Sequence, residues 1–380
     1  MNASCTCVAR GPLTGPPRGM PPAEHAARLR RLLSGLRRRG LDGAVITHPV
    51  ARFYFTGVAS SAGALWVDVR EGPIFATDFR YLFMARAALP FMPCILQKSG
   101  ASARAPWLRL ARRWRRCGYE GREAAATLRR HQEQLPGVTE WEDIDPLILA
   151  LRSVKSPREQ RALRRAIAAN DELFAALLPQ LRAGLSEWEI RGLVRREADR
   201  FGQGEAFDTI ACAGANAAEC HHAPGSDVLG PDDPLLLDFG VKLDHYCADM
   251  TRCVALGRPG ARYRELHRVV HEANRRAVAA IRPGMTGQEA DAVARRHIER
   301  AGYGAAFGHG LGHGLGLEVH EAPSFSQRSQ ELIRPGMVVT VEPGIYLAGK
   351  AGIRIEDVVL ITRTGCEVLT RAPHGFAPWG

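Results

Sequence analysis

The chain has 380 residues, 46% of them hydrophobic and 24% charged, a balance that excludes fibrous and wholly disordered classes. No run approaches the ~20 apolar residues of a membrane helix, so no membrane association is expected. The net charge of +11 is uneven: residues 1–150 hold 22 Lys+Arg against 12 Asp+Glu, and residues 151–380 hold 29 against 28. The excess belongs to the front of the chain, and no nucleic-acid partner is expected.

Residues 1–22 are rich in Gly, Pro and Ser and read as a flexible tail without the apolar core of a secretory signal. Cys5 and Cys7 form a CxC with no partner pair. The nine cysteines show no zinc-like or redox-like spacing, which favours a reducing, cytoplasmic setting. Residues 23–151 read as a small α/β domain. Leu29, Leu32, Leu33 and Leu36 share one helical face. Segments 44–47, 64–67 and 73–76 read as buried strands, and Trp107 to Arg116 as an Arg-rich helix with Trp114 inward. Residues 152–157 read as a linker, because Pro157 resists a helix running into it.

Residues 158–380 contain a repeat offset by about 100 positions. Arg182-Ala183-Gly184-Leu185-Ser186 is echoed by Arg282-Pro283-Gly284-Met285-Thr286. Each segment ends in a capping box, Ser186 with Glu189 and Thr286 with Glu289. His221-His222-Ala223-Pro224 is echoed by His320-Glu321-Ala322-Pro323, and Leu237-Asp238-Phe239-Gly240 by Val341-Glu342-Pro343-Gly344. Two related α/β halves facing one another are expected, each supplying polar residues to a cleft.

Acids recur in apolar strands. A hairpin turning at Leu243-Asp244 would set Asp238 directly opposite Asp249. Two carboxylates that close repel unless a proton or cation lies between them. Glu342 ends one strand, and Glu356 shares a strand face with Arg354. His309, His313 and His320 lie within twelve residues among glycines that let backbone approach a ligand closely. Oxygen-rich ligands with an imidazole suit Mn²⁺, Co²⁺, Fe²⁺ or Zn²⁺. Four acids and one histidine can hold two ions about 3.5–4 Å apart and generate hydroxide near neutral pH.

These motifs resemble the pita-bread metallopeptidases, in the Xaa-Pro aminopeptidase and prolidase branch with a creatinase-like N-terminal domain. The resemblance rests on Leu237–Gly240, Asp249–Arg252, His309–Pro323, Val341–Tyr346 and Ile353–Asp357, with Thr77-Asp78-Phe79-Arg80-Tyr81 in the first domain. It implies an α/β (α+β) fold, with a pseudo-symmetric pita-bread catalytic domain after a smaller α/β domain. It implies a dinuclear enzyme, with Mn²⁺ foremost, that hydrolyses the bond between an N-terminal residue and proline by a metal-activated water. Asp238, Asp249, His313, Glu342 and Glu356 match the metal ligands, with Asp249 and Glu356 bridging. His221 and His320 match cleft histidines that orient substrate and stabilise the tetrahedral intermediate. His309, Tyr346 and Arg354 match residues shaping the Xaa-Pro site, and Glu342 matches the proton shuttle.

The resemblance further implies a homodimer built partly by the first domain. Departures are Cys220 for a common proline, Cys253 for a common threonine and Ala51 for a common asparagine. A hydrolase of another small amide, ectoine-like, is the alternative on this fold. A creatinase-like enzyme would lack the ligand set, and so would a binding module. A methionine aminopeptidase would lack the first domain.

Overall fold

The computed structural model describes residues 22–97 and 106–375; the tail reading and the Cys5–Cys7 pair fall outside them. The first helix, α1 (Pro22–Arg38), buries Leu29, Leu32 and Leu36, three- and four-residue spacings that put them on one face. The helices α2 (Pro49–Thr56), α3 (Phe79–Ala88), α4 (Pro106–Ala111), α5 (Ala125–Gln134) and α6 (Asp145–Ser153) surround a six-stranded sheet. Its strands are β1 (Gly43–Ile46), β2 (Ala64–Asp68), β3 (Gly72–Thr77), β4 (Cys94–Leu96), β5 (Arg116–Tyr119) and β6 (Glu140–Asp143), ordered β4-β3-β2-β1-β5-β6. Side chains alternate across it: Ala44 and Ile46 join the large core shared with α1, and Val45 joins a second core with Trp66 and Trp114. Both faces are therefore covered.

The Arg-rich helix expected over Trp107–Arg116 is shorter than the sequence implied. It stops at Ala111, and Arg116 already belongs to β5. Trp114 is inward as expected, because its Nε1 donates to Asp68 Oδ2 at 2.7 Å, a bond that a continuing helix would not place. Residues 152–157 finish α6 and start α7 (Pro157–Leu177), with Arg152 and Lys155 buried.

The remaining chain forms two halves. In the first, α7 and α8 (Glu187–Phe201) pack on a sheet of β7 (Ile210–Ala213), β8 (Pro234–Phe239) and β11 (Met250–Ala255), ordered β11-β8-β7. The strands β9 (Lys242–Leu243) and β10 (Tyr246–Cys247), between β8 and β11 in the chain, form a two-stranded pair of their own. In the second half, α9 (Ala261–Ala280) and α10 (Gly287–Arg300) pack on β12 (Gly312–Gly314), β13 (Glu321–Phe325), β14 (Val338–Val341), β17 (Asp357–Ile361) and β18 (Cys366–Val368). The pair β15 (Gly344–Leu347) and β16 (Ala351–Arg354) lies between β14 and β17 in the chain.

The repeat is structural. Both capping boxes form, at Ser186 and Thr286. Each cap bridges an equivalent segment, Ser186 to Val228 and Thr286 to Leu332. The glycines two residues before the caps, Gly184 and Gly284, hold φ of 86° and 89°, a left-handed conformation that glycine adopts at little cost. Their amides donate to Leu229 and Ile333 carbonyls at 2.8 and 2.9 Å. The same turn chemistry thus starts the equivalent helix of each half.

The expected register of the acidic hairpin is corrected. Asp238 pairs with Thr251, and Leu243 with Tyr246, so the turn residues are Asp244 and His245. Both have positive φ, 51° and 69°, the signature of a type I′ turn. Asp and His tolerate that conformation, and a leucine does not. The shift is two residues, so Asp249 stays on the face of Asp238 and Thr251 but is diagonal to Asp238 rather than opposite it. Ala248 and Asp249 also interrupt the strand. A Cβ on Gly240 would stand 2.0 Å from the Ala248 carbonyl oxygen, so glycine lets the chain close up here.

Candidate metal centre

The halves enclose a cavity of about 520 Å³. Nine of the ten side chains singled out in the sequence line it: His221, Asp238, Asp249, His309, His313, His320, Glu342, Arg354 and Glu356. Tyr346 is brought against two of them. Alternation along β8 explains the first acid. Leu235, Leu237 and Phe239 enter the large core, whereas Leu236 and Asp238 face the other way. Asp249 comes from the break before β11, His313 from β12, Glu342 from the end of β14, and Glu356 from between β16 and β17.

The acids converge with few internal partners. Asp249, His313 and Glu356 each offer a ligand atom within 4.8 Å of the other two. His313 Nδ1 lies 3.0 Å from the Gly314 carbonyl, which accepts its N–H and so directs Nε2 into the cavity. That Nε2 is 3.3 Å from Glu342 Oε1 and 3.6 Å from Asp249 Oδ2. Asp238 Oδ2 accepts from Arg354 Nη2 at 2.5 Å, and Glu356 Oε2 accepts from Thr251 Oγ1 at 2.8 Å. The second oxygens, Asp238 Oδ1 and Glu356 Oε1, are buried without any partner.

The electrostatics register this crowding. Burial raises the Asp249 carboxyl well above its usual range, and the Glu356 charge raises it further. Burial and then the charges of Glu342 and Asp238 do the same to Glu356. Glu342 instead falls to about 2, because the hydrogen bond and charge of His313 overcome its burial. Four carboxylates face one guanidinium and the imidazole of His313, so the protein alone leaves an excess of enclosed negative charge that protons or cations must balance. Orphaned carboxylate oxygens around an oriented imidazole fit hard-to-borderline divalent ions.

Beside the acids runs a chain of hydrogen bonds. Arg354 Nη1 donates to Tyr346 Oη at 2.9 Å, Tyr346 Oη donates to His309 Nε2 at 2.9 Å, and His309 Nδ1 donates to the Gly310 carbonyl at 2.8 Å. His320 stacks edge-on to His313 with ring centroids 4.4 Å apart. His221 stands at the cavity from the opposite half. His222 turns away, with Nε2 2.8 Å from the wholly buried Glu187.

Thr251 was missed in the sequence as a site residue. Its hydroxyl donates to Glu356 and accepts from Arg354 Nε at 2.9 Å, joining the two halves. Strand alternation from Asp249 carried the signal. Phe207, Ile210 and Val319, which give the cavity an apolar side, were also missed; nothing in their local pattern distinguishes them from core residues.

Comparison with known proteins agrees with this geometry. The family model described as Metallopeptidase family M24 matches residues 161–363, and that described as Creatinase/Prolidase N-terminal domain matches residues 28–154. An uncharacterized peptidase of Bacillus subtilis is 35% identical over 91% of this chain and 97% of its own length. The solved structure of an Xaa-Pro dipeptidase from Bacillus anthracis is 32% identical, covers 93% of this chain and 99% of its own, and superposes with a TM-score of 0.87. That of an X-Pro aminopeptidase from Thermotoga maritima is 34% identical, covers 89% and 98%, and gives 0.81. An α/β domain followed by two facing halves around convergent acids therefore has a family: the chain belongs to metallopeptidase family M24. Within it, the paired N-terminal domain and these relatives place the chain in the Xaa-Pro aminopeptidase and prolidase branch.

Proposed function

We propose that the chain hydrolyses the bond between an N-terminal residue and proline, using two divalent metal ions, Mn²⁺ foremost with Co²⁺, Zn²⁺ or Fe²⁺ as alternatives. The observation that carries this reading is the set of four carboxylates, Asp249 and Glu356 buried and Asp238 and Glu342 partly so, converging on an oriented imidazole, with two orphaned oxygens. Asp249 and Glu356 would bridge the ions, Asp238 would hold one, and His313 and Glu342 the other. Bound there, the ions would lower the pKa of a water and polarise the scissile carbonyl.

The remaining steps belong to side chains. Glu342 takes the proton of the attacking water and passes it to the leaving proline nitrogen. His320 and His221, one from each half, orient the substrate and donate hydrogen bonds to the oxygen that becomes negative in the transition state. The Arg354–Tyr346–His309 chain fixes the rings that border the proline site. Residues 23–151 act as the accessory unit and 158–380 as the catalytic unit.

The test is a panel of Xaa-Pro dipeptides, Xaa-Pro tripeptides and small cyclic amides, assayed with each metal in turn. Turnover of Xaa-Pro peptides alone is expected. Turnover of the cyclic amides alone would replace this reading with the ectoine-like one.

A homodimer is part of the same proposal. Among the described residues, Phe79, Phe83 and Met84 on α3 are 79%, 88% and 41% exposed, next to the Arg80–Asp78 ion pair. Such an apolar group on a short helix suits a second copy of the chain. Phe83→Asp is expected to convert the dimer to monomer in light scattering after size exclusion; an unchanged mass would move the interface elsewhere. The seven described cysteines are all free, which supports a reducing, cytoplasmic setting. Among the described residues no helix is long and apolar enough to cross a membrane.

A further inference from the structure

Next to His320 lies a buried ionic cluster that the chemistry above does not use. Glu321 is enclosed, with a side chain 2% exposed. Its Oε1 accepts from the amides of Leu317 and Glu318 at 2.9 and 3.2 Å, folding the loop ahead of His320 around the carboxylate. A Cβ on Gly316 would stand 2.6 Å from both carboxylate oxygens, so only glycine lets the loop pack this tightly.

The counter-charges come from before the catalytic half. Arg152, in the last turn of α6, donates from Nη2 to Glu321 Oε1 at 2.5 Å, and its Nη1 lies 2.7 Å from Glu318 Oε2. Lys155 Nζ donates to Glu321 Oε2 at 3.2 Å. Arg122 Nη1 adds a second grip on Glu318 at 3.0 Å. One buried guanidinium thus holds two acids that bracket His320 in sequence. Apolar residues of similar volume stabilise such a position as well as a buried ion pair does, or better. What the ionic cluster adds is a directional constraint on the loop.

We propose that Arg152 is a positioning residue for His320: through Glu321 and Glu318 it fixes the loop that aims this imidazole into the cavity. The role given to His320 rests on the function proposed above. A misplacement of about 1 Å at a reacting group costs roughly 100-fold in rate. Arg152→Met is therefore expected to lower kcat by a factor approaching that, with KM changed by no more than about three-fold, the pattern of a contact made only in the transition state. Arg152→Lys recovers part of the loss. In a His320→Ala background, Arg152→Met lowers kcat no further, because residues acting as one unit are not additive.

A second readout does not depend on turnover. In histidine-labelled protein, the Cε1–H resonance of His320, identified by its loss in His320→Ala, shifts or broadens in Arg152→Met. Those of His25 and His131, buried in the first domain, stay in place. An equal further loss of kcat in the His320→Ala background, or an unmoved His320 resonance, overturns the proposal. If Arg152→Met does not fold, Arg122→Met carries the same tests with smaller shifts expected. Wild-type protein inert towards every Xaa-Pro peptide would overturn the function reading, while the resonance would still decide the positioning role.

Discussion

Asp249→Ala and Glu356→Ala are each expected to abolish turnover and to leave the protein unable to hold two equivalents of metal. Both side chains are buried at the centre of the cluster, within reach of His313 and of each other. On the proposed assignment, losing either carboxylate removes a ligand that both ions would share. Lewis-acid stabilisation of the transition state is worth several kcal/mol, so the loss in kcat is roughly 10³-fold or more. Metal analysis after reconstitution with Mn²⁺ and a turnover assay on Xaa-Pro peptides check it together. Full activity in either variant after dialysis against a chelator would disprove the dinuclear reading.

Stability should move the other way. In chelator-treated protein Glu356 keeps its proton well above the ordinary value of 4.5, first because it is buried and then because Glu342 and Asp238 repel its charge. The unfolded chain releases that proton near 4.5. Between the two values the unfolded state binds fewer protons, so stability falls as pH rises. The slope from one such group is at most about 1.4 kcal/mol per pH unit. Glu356→Gln removes it while keeping an oxygen to accept from Thr251. Metal-free Glu356→Gln should therefore melt above metal-free wild type at pH 8, with the gap narrowing towards pH 5. Thermal melts at both values decide. A gap that is constant or reversed would mean that repulsion is not what limits the metal-free fold. Glu342 does not interfere, since its proton leaves at about 2, outside this window.

Much of the site was legible in the sequence because its chemistry is expensive to place by accident. Asp238 follows three leucines, and a buried acid needs a partner. The capping boxes and the spaced histidine motifs exposed the repeat, because the same turn must start the helix of each half. Less was legible where contact depends on partners far along the chain. Glu187 and Glu321 look like ordinary helix-start and loop acids, and only the fold buries them. The hairpin register was misread because Asp-His is a weaker signal for a left-handed turn than Asn-Gly. The helix after Trp107 was overrun because the capture of Trp114 by Asp68 is a tertiary event.

The two left-handed turn residues carry a further consequence, for how this segment can change length over evolutionary time. Side chains on paired strands alternate faces with a period of two. A residue added at the turn itself lengthens only the loop, because three-residue hairpin loops leave the flanking pairs in register. A single residue added between Asp249 and Thr251 would instead turn Asp249 away from the face that Thr251 shares with its partner Asp238. Relatives that retain both acids should therefore vary in length at the turn and not between Asp249 and Thr251.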